Sequence, residues 1–117
     1  MTNLSGDLAV PRTPSRRRPI ARIWRGRTPA AKADEYLDFL RRKGVSGYRA
    51  TEGNRGVEVL LRIDGEVAEF LLVSYWDGYD AIRRFAGPDP ERAVYYPEDD
   101  EFLLEKEPTV THYEVFE

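Results

Sequence analysis

His112 is the single imidazole in this 117-residue chain, and the only side chain whose ordinary pKa lies close to neutrality. On a cavity-facing strand it could take a phenolic proton from a substrate, with tyrosine or carboxylate partners fixing its tautomer. Equally, it could fill part of a sheet face and make one hydrogen bond. Arg22 could bind an enolate or carboxylate, or pair with Glu114 or another acid. The two indoles, Trp24 and Trp76, have the shape to stack on a flat aromatic ligand or to fill a core. Tyr95 and Tyr96 follow a turn signal, where they would close a cavity mouth or cover a subunit seam. The run Glu98, Asp99, Asp100 and Glu101 has enough carboxylates for a hard cation but lacks the spacing and glycine of an EF-hand, so it reads as a solvated face.

Several chemistries are excluded. The chain has no cysteine, which removes thiolate nucleophiles, disulfides and Cys-ligated metal, and one histidine gives little support for a protein-built metal site. No stretch has the glycine spacing of a Rossmann or P-loop motif, so a nucleotide cofactor is not implied. The net charge of -3 gives the whole molecule no attraction for a phosphate backbone. Arg12, Arg16, Arg17, Arg18, Arg22, Arg25 and Arg27 nevertheless concentrate positive charge near the N-terminus, which leaves nucleic-acid binding through an arm as a minor alternative. Without a membrane-length apolar run or a signal-peptide core, a cytoplasmic protein is the default expectation.

These candidates must be positioned by a single domain's worth of chain. Residues 1–19 are rich in Arg, Pro and Ser and read as a flexible arm; the folded domain is expected over 20–117. Residues 20–26 alternate as a first strand, with Arg22 and Trp24 on one face. Thr28-Pro29 supplies a helix start, Ala33, Tyr36, Leu37 and Leu40 form an apolar stripe, and Gly44 is the expected stop. Residues 57–63 and 67–76 alternate around the Asp64-Gly65 turn signal, and the second of these strands is apolar on both faces. One face can therefore meet helices and the other a second copy of the chain. Asp77 is placed to cap a helix carrying Tyr79, Ile82 and Phe85, and residues 109–116 alternate as a last strand. The order is βαββαβ: an α+β, ferredoxin-like four-stranded antiparallel sheet backed by helices.

That order, with Trp76-Asp77-Gly78-Tyr79-Asp80-Ala81-Ile82, Ala93-Val94-Tyr95-Tyr96-Pro97 and Val110-Thr111-His112-Tyr113-Glu114-Val115, resembles the antibiotic biosynthesis monooxygenase-like group of the dimeric α/β-barrel superfamily. The resemblance covers about residues 20–117. It implies a homodimer in which two sheets face one another, with a ligand cavity between each subunit's own sheet and helices. It also implies a hydrophobic or aromatic small-molecule ligand and no membrane. The superfamily includes cofactor-free oxygenases of aromatic polyketides, haem-degrading enzymes and proteins without assigned activity. The haem-degrading branch uses a first-strand Asn and a second-helix His; residues 20–26 contain no Asn, and Arg83, Arg84 and Phe85 supply no His. The expected function is cofactor-independent oxygenation of an aromatic or enolic molecule, with His112 and Arg22 catalytic and Trp24, Trp76, Tyr95 and Tyr96 binding substrate. The alternative is a noncatalytic small-molecule-binding or regulatory protein of the same fold.

Overall fold

A computed structural model describes residues 18–116; the arm expected over 1–19 lies outside the described residues except for Arg18 and Pro19. Alternating burial builds the sheet. Strand β1 (Ile20–Pro29) buries Ile20, Arg22, Trp24, Gly26 and Thr28 on one face, and β3 (Val67–Trp76) buries every second residue from Ala68 to Trp76. With β2 (Asn54–Asp64) and β4 (Thr111–Glu114) they form an antiparallel sheet of order β2-β3-β1-β4, the ferredoxin-like arrangement. The β2–β3 turn is Gly65-Glu66, with Gly65 at φ +63°. This register puts Arg22 opposite Ser74 on one side and His112 on the other.

Helices cover the Arg22 face. Helices α1 (Ala33–Phe39) and α2 (Val45–Arg49) are joined by a π-helical turn, Leu40–Gly44, and α3 (Tyr79–Ala86) follows β3. Tyr36, Phe39, Leu40, Tyr48 and Ile82 pack with Trp24, Phe70, Leu72 and Trp76 in one core.

Three local expectations are corrected. Gly44 does not stop the first helix; it keeps helical angles, because the buried stripe continues through Val45 and Tyr48 and outweighs glycine's low propensity. Thr28 and Pro29 belong to β1, where they pair with Ala68 and Val67, rather than opening the helix. Asp77 does not cap α3: Gly78 precedes it, and the Asp77 carboxylate pairs with Arg55 instead.

The face turned away from the helices carries an apolar band across all four strands. Leu60 on β2 is 47% exposed and Tyr113 on β4 is 57% exposed, with half-buried Leu71, Val73, Tyr75 and Ile23 between them. Charged residues flank the band, with Arg25 pairing with Glu69 and Glu107, Arg62 with Glu69, and Arg27 with Glu105. Among the described residues no helix is long and apolar enough to cross a membrane.

Candidate functional site

Arg22 is the unusual residue of the core. It is 1% exposed, yet among the described residues no carboxylate pairs with it. Its Nη1 donates to the Pro90 carbonyl and lies 3.2 Å from His112 Nε2, and its Nη2 donates to the Arg92 carbonyl at 2.8 Å. Nε has no acceptor among the described residues. The guanidinium also sits 5.6 Å from the centre of the Phe85 ring. Burial pushes its pKa down, with the neighbouring Tyr48 acting in the opposite sense, while burial raises the Tyr48 phenol to about 12. The alternative pairing with Glu114 does not form; Glu114 faces Arg18. A buried cation held only by neutral dipoles is costly unless further acceptors reach it.

Two residues along β1, Trp24 is also buried, and its Nε1 is the other donor without a protein acceptor. Gly26 explains the pose: a β-carbon there would lie 2.2 Å from Trp24 Cη2, so only glycine lets the indole lie along the strand. Tyr95 meets that indole edge-on at 6.2 Å and donates its hydroxyl to the Glu107 carbonyl.

Trp24 forms one wall of a cavity between sheet and helices, with Tyr36, Phe39, Tyr48, Phe85 and Tyr96 among the others. The space is about 310 Å³ including its open mouth, but only about 20 Å³ admits the centre of a water-sized sphere, room for about one water. The π-helical turn contributes Leu40 and Gly44 to the lining, a placement common for such turns at functional sites.

The sequence candidates therefore divide. Trp24 and Tyr96 line the cavity. Tyr95 supports Trp24 from behind. Trp76 is fully buried and donates to Ser74 Oγ at 2.8 Å, in contact with the cavity's Tyr48 and Phe85 rather than in its lining. Arg22 and His112 adjoin one another next to the Phe85 wall. His112 is half-buried, edge-on to Tyr79, and accepts from Arg22 through Nε2, which places its proton on Nδ1. Burial and the guanidinium hold its pKa down to about 4, so it is neutral at pH 7 and a weak base.

Sequence reasoning missed Asp99. It lies in a 3₁₀ turn, Pro97–Glu101, is 3% exposed and lines the cavity. The available signal was Pro97 followed by an acid three residues beyond Tyr96, a reciprocal turn cap that draws one carboxylate of the run inward. Among the described residues no cluster of His, Cys, Asp and Glu is arranged to hold a metal ion.

The fold and this pocket define a ferredoxin-like α+β chain with an aromatic cavity between its sheet and helices. The solved structure of Rv0793 from Mycobacterium tuberculosis is similar to it, with a TM-score of 0.57 at 22% identity over 85% of this chain and 96% of that one. No family model matches the chain, and no curated protein does. At that identity the likeness is one of fold.

Proposed function

We propose that this protein is a homodimeric binder of a small aromatic molecule, held in the cavity between sheet and helices, with an oxygen of the ligand drawn to Arg22. The observation that carries this reading is the buried guanidinium without an acid, beside a pocket walled by aromatic rings. A ligand carboxylate, enolate or phenolate would supply the acceptor that Nε lacks. Because the cavity as it stands holds about one water, entry displaces the partly buried Phe85, Val94 and Tyr96 side chains at its wall. Single rings suit it better than fused ones. The second copy covers the apolar band on the outer sheet face, where Leu60 and Tyr113 are most exposed.

The same guanidinium favours a second reading, cofactor-independent oxygenation. An enolate or phenolate stabilised by Arg22 can pass an electron to dioxygen, overcoming the slow reaction of a triplet molecule with a closed-shell substrate. Conversion of an activated methylene to a carbonyl then places one oxygen atom in the product and releases the other as water, with all four electrons supplied by the substrate. His112 would orient Arg22 in this chemistry more readily than remove a proton.

Calorimetric titration with 4-hydroxybenzoate tests the first reading. Wild-type protein should bind it, and Arg22→Gln, checked for a retained cooperative melt, should bind about tenfold or more weakly. Equal affinity in both would remove Arg22 from the site. Aerobic and anaerobic incubation with single-ring phenols and enolisable ketones, followed by mass spectrometry, tests the second. Oxygen-dependent product from the metal-free protein supports oxygenation, and binding without product leaves the binder.

A further inference from the structure

Asp99 is a buried carboxylate that pairs with no cation among the described residues. Oδ1 accepts the Tyr36 hydroxyl at 2.8 Å and Oδ2 accepts the Tyr96 backbone N–H at 2.7 Å. A carboxylate offers about four acceptor positions, so two are used and two are free. Two lysines paired with its neighbours in the run are engaged elsewhere: Lys43 with Glu98 and Lys106 with the exposed Asp100. Tyr36 and Tyr96, the two residues that hold Asp99, line the same cavity as Asp99 itself, together with Trp24 and Phe39. Asp99, set between Tyr36 and Tyr96, is thus the charged group of the cavity wall whose partners among the described residues are incomplete, whereas Arg22 adjoins the Phe85 ring outside the lining.

We infer that Asp99 is the acceptor that selects the ligand, taking a hydrogen bond from a hydroxyl group, so that the molecule bound is a phenol or an enol rather than an arene lacking O–H. This rests on the proposed aromatic-binding role of the cavity. Two donors already converge on the carboxylate, and a third from the cavity side fills one of the two remaining acceptor positions without bringing in a charge. Burial, assisted by Glu98 and Asp100, raises the Asp99 pKa, whereas His112 is pushed to about 4. Of the two ionisable groups that sequence and structure offer as proton acceptors, Asp99 is therefore the one whose environment strengthens it as a base. Its role as a turn cap does not compete, because the cap uses only Oδ2.

The test is calorimetric or NMR titration of the full chain with 4-methylphenol and its O-methyl ether, 4-methylanisole. Wild-type protein should favour the phenol by about tenfold or more, the range of a hydrogen bond to a charged group. Asp99→Asn should fold, because its carbonyl can still accept from Tyr96 and its amide can donate to the Tyr36 oxygen. In that variant the preference should fall to about twofold or less. An undiminished preference in Asp99→Asn would overturn the assignment of Asp99. Equal binding of the two probes by wild type would overturn it too while leaving the aromatic pocket intact. Failure of both probes to bind would overturn the pocket reading and this inference together.

Discussion

Substituting His112 by Gln should flatten the acid side of the stability profile. The His112 pKa is about 4 in the folded chain against an ordinary value near 6.5. Between those values the unfolded chain binds a proton that the folded chain refuses, so stability falls as pH drops from about 6.5 to about 4 and is unaffected by this group above that window. At 1.36 kcal/mol per pH unit the ceiling is about 3 kcal/mol. The ring is half-buried, and solvent screening reduces the expected loss to about 1–2 kcal/mol. Gln is the suitable replacement because its carbonyl can accept from Arg22 Nη1 as His112 Nε2 does, without titrating. Glu69 and Glu105, held low by their arginine partners, and Glu98, held low by a backbone N–H and then by Lys43, also lose stability in acid, so the informative quantity is the difference between the two proteins. Urea unfolding followed by tryptophan fluorescence at pH 7, 5.5 and 4 supplies it. The wild-type free energy should fall by about 1–2 kcal/mol more than that of His112→Gln. Parallel profiles would refute the claim that Arg22 and burial suppress protonation of His112.

Two other substitutions probe the cavity wall and the outer face. Gly26→Ala should destabilise the fold by about 1–3 kcal/mol and change tryptophan emission, because the new β-carbon meets the Trp24 ring; thermal melts with fluorescence detection would read both. Val73→Arg places a charge in the apolar band, so light scattering after size separation should change from twice the 13.5 kDa chain mass in wild type to a single chain mass in the variant.

Strand periodicity was the most legible feature of the sequence. The alternation over Val67–Trp76 fixes which side chains face the helices, and pairing then places Arg22 between Ser74 and His112. Residue type left Trp24 open between core filling and ligand stacking and Tyr96 between cavity mouth and subunit seam; their place in the cavity wall depends on packing between sheet and helices that spacing does not show. Glycine and proline misled where tertiary packing outweighed local preference: Gly44 lies within a buried helical stripe, and Pro29 ends a strand whose partner extends as far. Asp99 was hidden for another reason. Its neighbours Glu98, Asp100 and Glu101 are exposed or nearly so, and composition alone does not single out the member of an acidic run that turns inward to meet Tyr36. Nor does sequence spacing show that Arg22 lacks an acid, since this depends on Pro90 and Arg92 delivering carbonyls from 68 and 70 residues away.

The two tryptophans allow the central claim to be tested in one spectrum. The Trp24 ring lines the cavity wall and its Nε1–H has no acceptor among the described residues, whereas Trp76 Nε1–H is bound to Ser74 Oγ in the core. A ¹H–¹⁵N titration with 4-hydroxybenzoate, the indole resonances assigned by Trp24→Phe and Trp76→Phe, should move the Trp24 signal progressively and saturably while the Trp76 signal moves much less. Saturable binding that leaves the Trp24 indole unmoved, with the shifts mapping to Leu60, Val73 and Tyr113 on the outer sheet face, would contradict a ligand site between the sheet and the helices.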